Sequence, residues 1–131
     1  MRMALLTAQR SKDPNTQVGC VLVRPDNKVD AKGYNGFATG VQETPERWSR
    51  PAKYQLVIHA EENALLNATC EVRGWTAYVT CRPCERCASK IVQAGIAKVI
   101  YLGETASANY ELSDIILSEG GVELERYEEE L

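Results

Sequence analysis

Apolar and polar positions along the first half of the chain predict a helix, a hairpin and a long loop. Residues 2–10 are good helix formers and predict a first helix. Residues 17–34 contain a β-branched run, a turn with proline and asparagine, and a second arm, and so predict a β-hairpin. Residues 37–55 show no period and are predicted to form a loop long enough to be functional.

The second half alternates helical and strand patterns. Apolar positions at helical spacing predict a helix from residue 59 to about residue 68. The segments that follow are predicted to be a strand at 75–80, a helix at 84–94, a strand at 98–102, a helix at 107–118 and a strand at 122–127. Strands separated by helices imply parallel pairing, to which the hairpin adds an antiparallel pair. We therefore expect a single domain, residues 1–131, in which helices cover both faces of a five-stranded mixed sheet in three α/β/α layers.

Composition limits the classes of partner. Hydrophobic residues make up 44% of the chain and charged residues 25%, which is typical of a globular domain with one core. The net charge is −3, and six acidic residues follow position 118, so a large nucleic-acid surface is not expected. The sequence has no apolar run of about 18 residues and no signal-peptide pattern, so we expect a cytoplasmic protein without a membrane span.

The candidate chemistry centres on the single histidine. His59 precedes Glu61 by two positions at a predicted helix start, and Cys84 and Cys87 lie three residues apart at another, just after Pro83. Residues three apart on a helix point the same way, so the two sulfurs can share one metal ion. One imidazole and two thiolates would hold zinc and leave a fourth position for water. Glu61 could then take a proton from that water and pass it to a substrate nitrogen. The pattern indicates a zinc hydrolase.

A different interpretation uses the third cysteine of this cluster. Cys81 could complete a closed Cys₃His zinc site, or the three cysteines could hold an iron–sulfur cluster. Cys81, however, ends an apolar strand, and the Pro83 turn separates it from the helix that carries the other two. A closed site would also give Glu61 no task, so the catalytic interpretation is favoured. Cys20 and Cys70 are interpreted as buried small apolar groups.

Taken together, these motifs resemble the deoxycytidylate (dCMP) deaminase family of the cytidine deaminase superfamily, whose zinc signature is H-x-E…P-C-x-x-C. His59-Ala60-Glu61 and the residues from Pro83 to Cys87 match that signature, and the segments 8–19 and 33–36 narrow the match to this family. The resemblance covers roughly residues 4–103. It implies a cytidine deaminase-like fold and hydrolysis of dCMP to dUMP and ammonia, which supplies dUMP for thymidylate synthesis.

Site residues follow from the same resemblance. It implies one zinc per chain, held by His59, Cys84 and Cys87, with Glu61 shuttling the proton. Asn35 is expected to bind the sugar through its amide. The segment after Gly103 departs from the family's His/Asp-rich pattern, which leaves contacts there undefined.

A polar turn is the expected site for the substrate's 5′-phosphate. Arg10, Ser11 and Lys12 provide two cations and a hydroxyl, which suit a phosphate group. The alternative for these residues is an ordinary solvated turn.

Regulation and assembly are also implied by the family. Its members are typically hexamers, activated by dCTP and inhibited by dTTP with magnesium. A homohexamer with this control is therefore expected. Gly33, Tyr34, Asn35 and Gly36 would lie at the effector site, with Lys28 as a phosphate contact.

Two other functions stay open on the sequence. A tRNA adenosine deaminase shares both metal motifs but would need a basic face for the RNA backbone. A zinc-stabilised interaction module without activity would keep the metal ligands and have no need for Glu61.

Overall fold

The computed structural model describes residues 1–106 and 108–131, and it contains one five-stranded sheet with strand order β2-β1-β3-β4-β5. The elements in chain order are α1 (Arg2–Ala8), β1 (Gly19–Val23), β2 (Val29–Tyr34), α2 (Ala52–Leu56), α3 (Ala60–Asn67), β3 (Thr76–Cys81), α4 (Glu85–Ala94), β4 (Lys98–Gly103), α5 (Tyr110–Glu119) and β5 (Glu123–Arg126). Among the described residues, no helix has both the length and the hydropathy required to cross a bilayer.

The predicted mixed sheet is confirmed. Strand β1 pairs antiparallel with β2 and with β3, whereas β3, β4 and β5 are parallel. The hairpin therefore forms one edge of the sheet, and the helical crossovers build the other. This arrangement places the carboxyl end of β3 and the start of α4 side by side, which positions the cysteines.

Two glycines show that helices cover opposite faces of the sheet. Gly33 of β2 lies opposite Cys20 of β1, so these two residues project from the same face. A Cβ atom on Gly33 would overlap the backbone of α3, lying 2.5 Å from the Ala60 carbonyl oxygen. Gly19 projects from the other face, where a Cβ would lie 2.6 Å from the Ala8 nitrogen of α1. These contacts confirm the three layers. They also explain why position 33 is a glycine, because α3 packs too closely against the strand for any larger side chain.

The main core lies between the sheet and the layer formed by α3, α4 and α5. Its largest fully buried side chains include Leu22, Val79, Val99, Ile91 and Leu117. Helix α4 ends at Gly95 with a positive φ of 87°, as its sequence predicted.

Three sequence-based expectations need correction or qualification. Residues 37–55 are not entirely loop, because they contain most of α2, a helix of only five residues that is too short to show a period. The prediction that Cys70 is buried is wrong, because it lies exposed in the bend after α3, whereas Cys20 is buried as predicted. The predicted helix start at Ser107 lies outside the described residues; helix α5 begins after Asn109, whose side chain accepts a hydrogen bond from Leu112 N at 3.0 Å.

Candidate metal centre and active-site pocket

Two helix starts carry the candidate ligands. His59 is the N-cap of α3, and Cys84 is the N-cap of α4. Glu62 closes a capping box at the first start, where its carboxylate accepts a hydrogen bond from His59 N at 2.8 Å. The second start is held by Ser113 of α5, whose buried hydroxyl donates to the Pro83 carbonyl oxygen at 2.8 Å. Both ligand-bearing turns are therefore fixed by short-range hydrogen bonds.

The three donor atoms converge on one point. His59 Nδ1 lies 3.2 Å from Cys87 Sγ and 3.4 Å from Cys84 Sγ, and all three atoms lie within 4.8 Å of one another. Ordinary Zn–N and Zn–S bond lengths in a tetrahedron would separate nitrogen from sulfur by about 3.6 Å. Among the described residues, His59, Cys84 and Cys87 form the group of potential ligands whose donor atoms lie close enough together to hold one metal ion. The donor set and its spacing fit zinc.

The two cysteine side chains are linked by a hydrogen bond. Hydrogen bonding with Cys87 lowers the pKa of Cys84 to about 3, and the same contact, together with burial, raises the pKa of Cys87. A bound divalent cation would replace the proton of this hydrogen bond, because a coordinating thiol loses its proton to the metal. The pair is thus arranged to hold a positive charge.

Glu61 is a buried carboxyl beside the ligands. The residue is 6% exposed, and burial raises its pKa from 4.5 to about 7, with His59 opposing and Cys84 reinforcing the rise. At neutral pH the group therefore exists in both protonation states. A group with this pKa both accepts and donates protons efficiently.

Cys81 lies close to the site but outside the ligand cluster of the described residues. Its thiol hydrogen-bonds with the side chains of Tyr110 and Thr105, and burial raises its pKa to about 11. These hydrogen bonds hold the Cys81 thiol on Tyr110 and Thr105, away from the cluster of His59, Cys84 and Cys87. The contacts of Cys81 therefore favour the open, three-ligand interpretation over the closed Cys₃His site.

An ion-pair cluster joins the two ligand-bearing helices, and the sequence analysis missed it. The Glu62 carboxylate forms ion pairs with two residues of α4, Arg86 at 3.0 Å and Lys90 at 2.7 Å. The same carboxylate caps the start of α3. The opposite charges lower the pKa of Glu62 against the effect of its partial burial. The signal was present in the sequence as a glutamate three residues after the N-cap, which is capping-box spacing.

A pocket of about 950 Å³ opens beside Glu61. One wall carries His59, Glu61 and Cys84, and the other consists of the turn at 13–16 and residues 45–57 around α2. The volume lies within the range of small-molecule sites, and the walls combine apolar and polar groups as such sites do. The long segment that the sequence indicated as functional thus forms a wall of the pocket.

Asn35, the expected sugar contact, lines this pocket. Its side-chain nitrogen donates to Asp13 Oδ2 at 3.2 Å and to the Thr16 carbonyl oxygen at 2.9 Å. Its side-chain oxygen accepts from Val18 N at 2.8 Å. An amide has two N–H donors and two acceptor lone pairs, so one acceptor position on the oxygen is left for a ligand.

The three residues expected at the phosphate do not line the pocket. Ser11 is buried, and its hydroxyl donates to the Asn35 carbonyl oxygen at 2.8 Å. Arg10 is exposed and lies 6.0 Å from the centre of the Tyr34 ring, while Lys12 is exposed. The structure brings Ser11 under the pocket wall and leaves both cations outside it. Their contact with phosphate remains a prediction.

The segment expected at an effector site has clear packing roles. Gly33 permits the close approach of α3, and Gly36 exchanges backbone hydrogen bonds of 3.1 and 2.8 Å with Ile58, directly before His59. Tyr34 is partly exposed, and Lys28 lies exposed in the hairpin turn. Binding of an effector there remains a prediction.

Cations on the pocket wall were also missed by the sequence analysis. Arg82 is held by Glu104 at 2.6 Å and Asp114 at 2.6 Å, and Lys53 by Asp13 at 2.8 Å. Arg50 lies 5.3 Å from the centre of the Tyr54 ring. In the sequence, the only signal for Arg50 and Lys53 was that both cations belong to the long segment 37–55.

Comparison with known proteins identifies relatives of the chain. Residues 1–103 match the family model described as "Cytidine and deoxycytidylate deaminase zinc-binding region". The chain is 45% identical over 107 residues to the probable deoxycytidylate deaminase of Caenorhabditis elegans, an alignment covering 78% of the chain and 54% of that protein. It is 44% identical over 111 residues to the Homo sapiens deoxycytidylate deaminase, covering 79% of the chain and 62% of the relative. The chain therefore spans little more than half the length of these curated relatives.

A solved structure resembles the whole fold. The dCMP deaminase of the cyanophage S-TIM5, in complex with dCMP and dUMP, aligns with a TM-score of 0.79 and 30% sequence identity. The alignment covers 96% of the present chain and 92% of the phage chain.

Proposed function

The chain belongs to the cytidine and deoxycytidylate deaminase family, and on that premise we propose that it is a zinc-dependent hydrolase converting dCMP to dUMP and ammonia, which supplies dUMP for thymidylate synthesis. The observation that carries the proposal is the convergence of His59, Cys84 and Cys87 beside the buried carboxyl of Glu61. Zinc held by these three residues would supply an activated water at its open position. The phage relative with dCMP and dUMP bound supports this choice of substrate.

Glu61 carries the proton transfers in this proposal. Its carboxylate accepts a proton from the attacking water and returns it to the pyrimidine ring nitrogen. A second transfer through the same carboxyl then allows the 4-amino group to leave as ammonia. Both transfers are local, because Glu61 is buried beside the candidate ligands and lines the pocket that would hold the pyrimidine.

Asn35 is proposed to recognise the sugar as an acceptor. Both of its N–H donors are engaged, so its side-chain oxygen would accept a hydrogen bond from the 3′-hydroxyl of the deoxyribose. For the 5′-phosphate, Arg10, Ser11 and Lys12 remain the proposal from the sequence. Arg50, which lines the pocket, adds a second cationic position.

Regulation, assembly and location are finer parts of the proposal. We expect activation by dCTP, inhibition by dTTP with magnesium, a homohexamer and a cytoplasmic location. The support for regulation and assembly is the resemblance of residues 33–36 to the family's segment, and the closely spaced thiols suit a reducing compartment. Initial rates at varied dCMP with each effector, together with sedimentation analysis, test these points.

Ammonia release from different substrates tests the reaction. The zinc-loaded protein is expected to deaminate dCMP, to act weakly on deoxycytidine, and to leave tRNA unchanged. A Glu61→Ala variant that keeps zinc serves as the control and is expected to be inactive. Release from tRNA alone would favour a tRNA adenosine deaminase, which the net charge of −3 argues against. Absence of turnover on every substrate would favour the interaction module.

A further inference from the structure

We propose that Lys53 is a positioning residue of the substrate pocket, acting through the buried carboxylate of Asp13 on the side-chain amide of Asn35. The inference rests on the proposed function, because it concerns how the same pocket holds its nucleotide. Lys53 belongs to α2, and its ammonium lies 2.8 Å from Asp13 Oδ2. Forty positions of sequence separate these two residues, so only the fold brings them together.

Asp13 is the centre of a fully connected polar network. Its side chain is 1% exposed, and both of its oxygens are engaged. Oδ1 accepts from the backbone nitrogens of Asn15 at 2.9 Å and Thr16 at 3.2 Å, whereas Oδ2 accepts from Asn35 Nδ2 at 3.2 Å and from Lys53. An ionised carboxylate at this depth needs a paired charge. Lys53 is the cation that the described part of the structure places on it.

This network decides which way the Asn35 amide faces. The bonds to Asp13 and to the Thr16 carbonyl oxygen both require N–H donors, so the amide nitrogen must face them. Without Lys53, the Asp13 carboxylate would stay buried without its paired charge, and the turn that carries it would shift toward solvent. The hydrogen bond from Asn35 Nδ2 to Asp13 Oδ2 would then be lost, and the amide would lose its single orientation. The acceptor available to a sugar hydroxyl would be lost with it.

Lys53 also connects the far wall of the pocket to this network. Its ammonium lies 5.9 Å from the centre of the Trp48 ring, and Trp48 stacks on Phe37 at 4.4 Å between ring centres. The lysine side chain is 17% exposed, so most of it is enclosed by these groups. One side chain therefore holds the aromatic wall and the Asp13 turn at a constant separation. Direct contact between Lys53 and substrate is not required for this role.

A double-mutant cycle on the zinc-loaded protein tests the inference. The variants are Lys53→Met, Asp13→Asn and the two combined, with Lys53→Arg as the conservative replacement. Steady-state kinetics gives KM and kcat for dCMP, and calorimetry gives the dissociation constant of dUMP without any need for turnover. Lys98→Met is the control for losing a lysine ion pair away from the pocket, because Lys98 pairs with Glu125 at 2.6 Å on strands β4 and β5, where both side chains are more exposed.

We expect Lys53→Met to raise both KM and the dUMP dissociation constant about tenfold, the factor that 1.4 kcal/mol of binding free energy supplies, with a smaller change in kcat. Lys53→Arg should recover most of the loss. The combined variant should be no worse than either single variant, since both act through one network. If Lys53→Met fails to fold, nucleotide binding by the combined variant, which lacks both charges, is compared with that of Asp13→Asn. Equal dissociation constants for dUMP would then support the inference.

Two results would overturn the inference. Unchanged nucleotide binding in Lys53→Met would show that the ion pair contributes only to folding. Effects that add in the combined variant would show that Lys53 acts independently of Asp13. A wild-type protein that binds dUMP but releases no ammonia from dCMP would contradict the proposed function and still leave the binding cycle to decide the role of Lys53. A protein that does neither would contradict both.

Discussion

Replacing Glu61 with glutamine separates the chemical role of this carboxyl from its effect on folding. Glu61 is 6% exposed, and burial raises its pKa from 4.5 to about 7. At 1.36 kcal/mol per pKa unit, this difference corresponds to about 3 kcal/mol in the free energy of unfolding of the metal-free protein. Glutamine has nearly the same shape and no charge, so it removes the effect of ionisation.

The sign of the effect follows from the direction of the pKa change. Because the folded-state pKa lies above the unfolded value, the folded state holds the proton more tightly. The resulting stability is complete below about pH 4.5, declines as the pH rises, and is lost above about pH 7. Relative to the wild type, metal-free Glu61→Gln should therefore gain up to about 3 kcal/mol between pH 4.5 and pH 8. Comparing the two pH values cancels the constant energy of burying the amide.

Urea denaturation in the presence of a chelator measures this difference, with tryptophan fluorescence as the signal. The zinc-loaded variant should keep its metal and lose turnover by a factor of about 10²–10⁴, as expected when a general acid–base is removed. A stability difference that does not change between the two pH values would refute the account of the buried carboxyl. Retained turnover would refute its catalytic role.

Four further substitutions test other parts of the site and fold. Cys81→Ser should keep one zinc per chain and its turnover, since its thiol lies outside the ligand cluster; loss of zinc by elemental analysis would indicate a closed site. Gly33→Ala should lower the free energy of unfolding by about 1–3 kcal/mol or more, because the added methyl group would overlap α3. Gly36→Ala is its control: the added Cβ would lie 3.6 Å from the Glu43 carboxylate, an ordinary contact, so thermal unfolding should be nearly unchanged. Arg82→Met removes the cation from Asp114 and should increase proteolysis of the segment after β4, and unchanged cleavage would contradict this role.

Much of the fold followed from local pattern. The hairpin, the alternating helices and strands, and the end of α4 at Gly95 all depend on side-chain periodicity or on one residue's backbone preference, which a single sequence displays. The short helix α2 did not show itself, because five residues make little more than one turn. The exposure of Cys70 could not be predicted from its residue type, since exposure depends on whether a layer of the fold covers the segment.

The sequence by itself determined the chemistry of each ligand-bearing turn at the site. Cys84 and Cys87 lie three residues apart at a helix start and so face the same side, and Glu61 follows His59 by two positions in the first turn of another helix. The tertiary structure decided everything that joins distant segments. It brought the imidazole to the two thiols, kept Cys81 outside the cluster, and set Lys53 on Asp13 beside Asn35. Such contacts depend on how whole layers pack, and no periodicity along the chain records that.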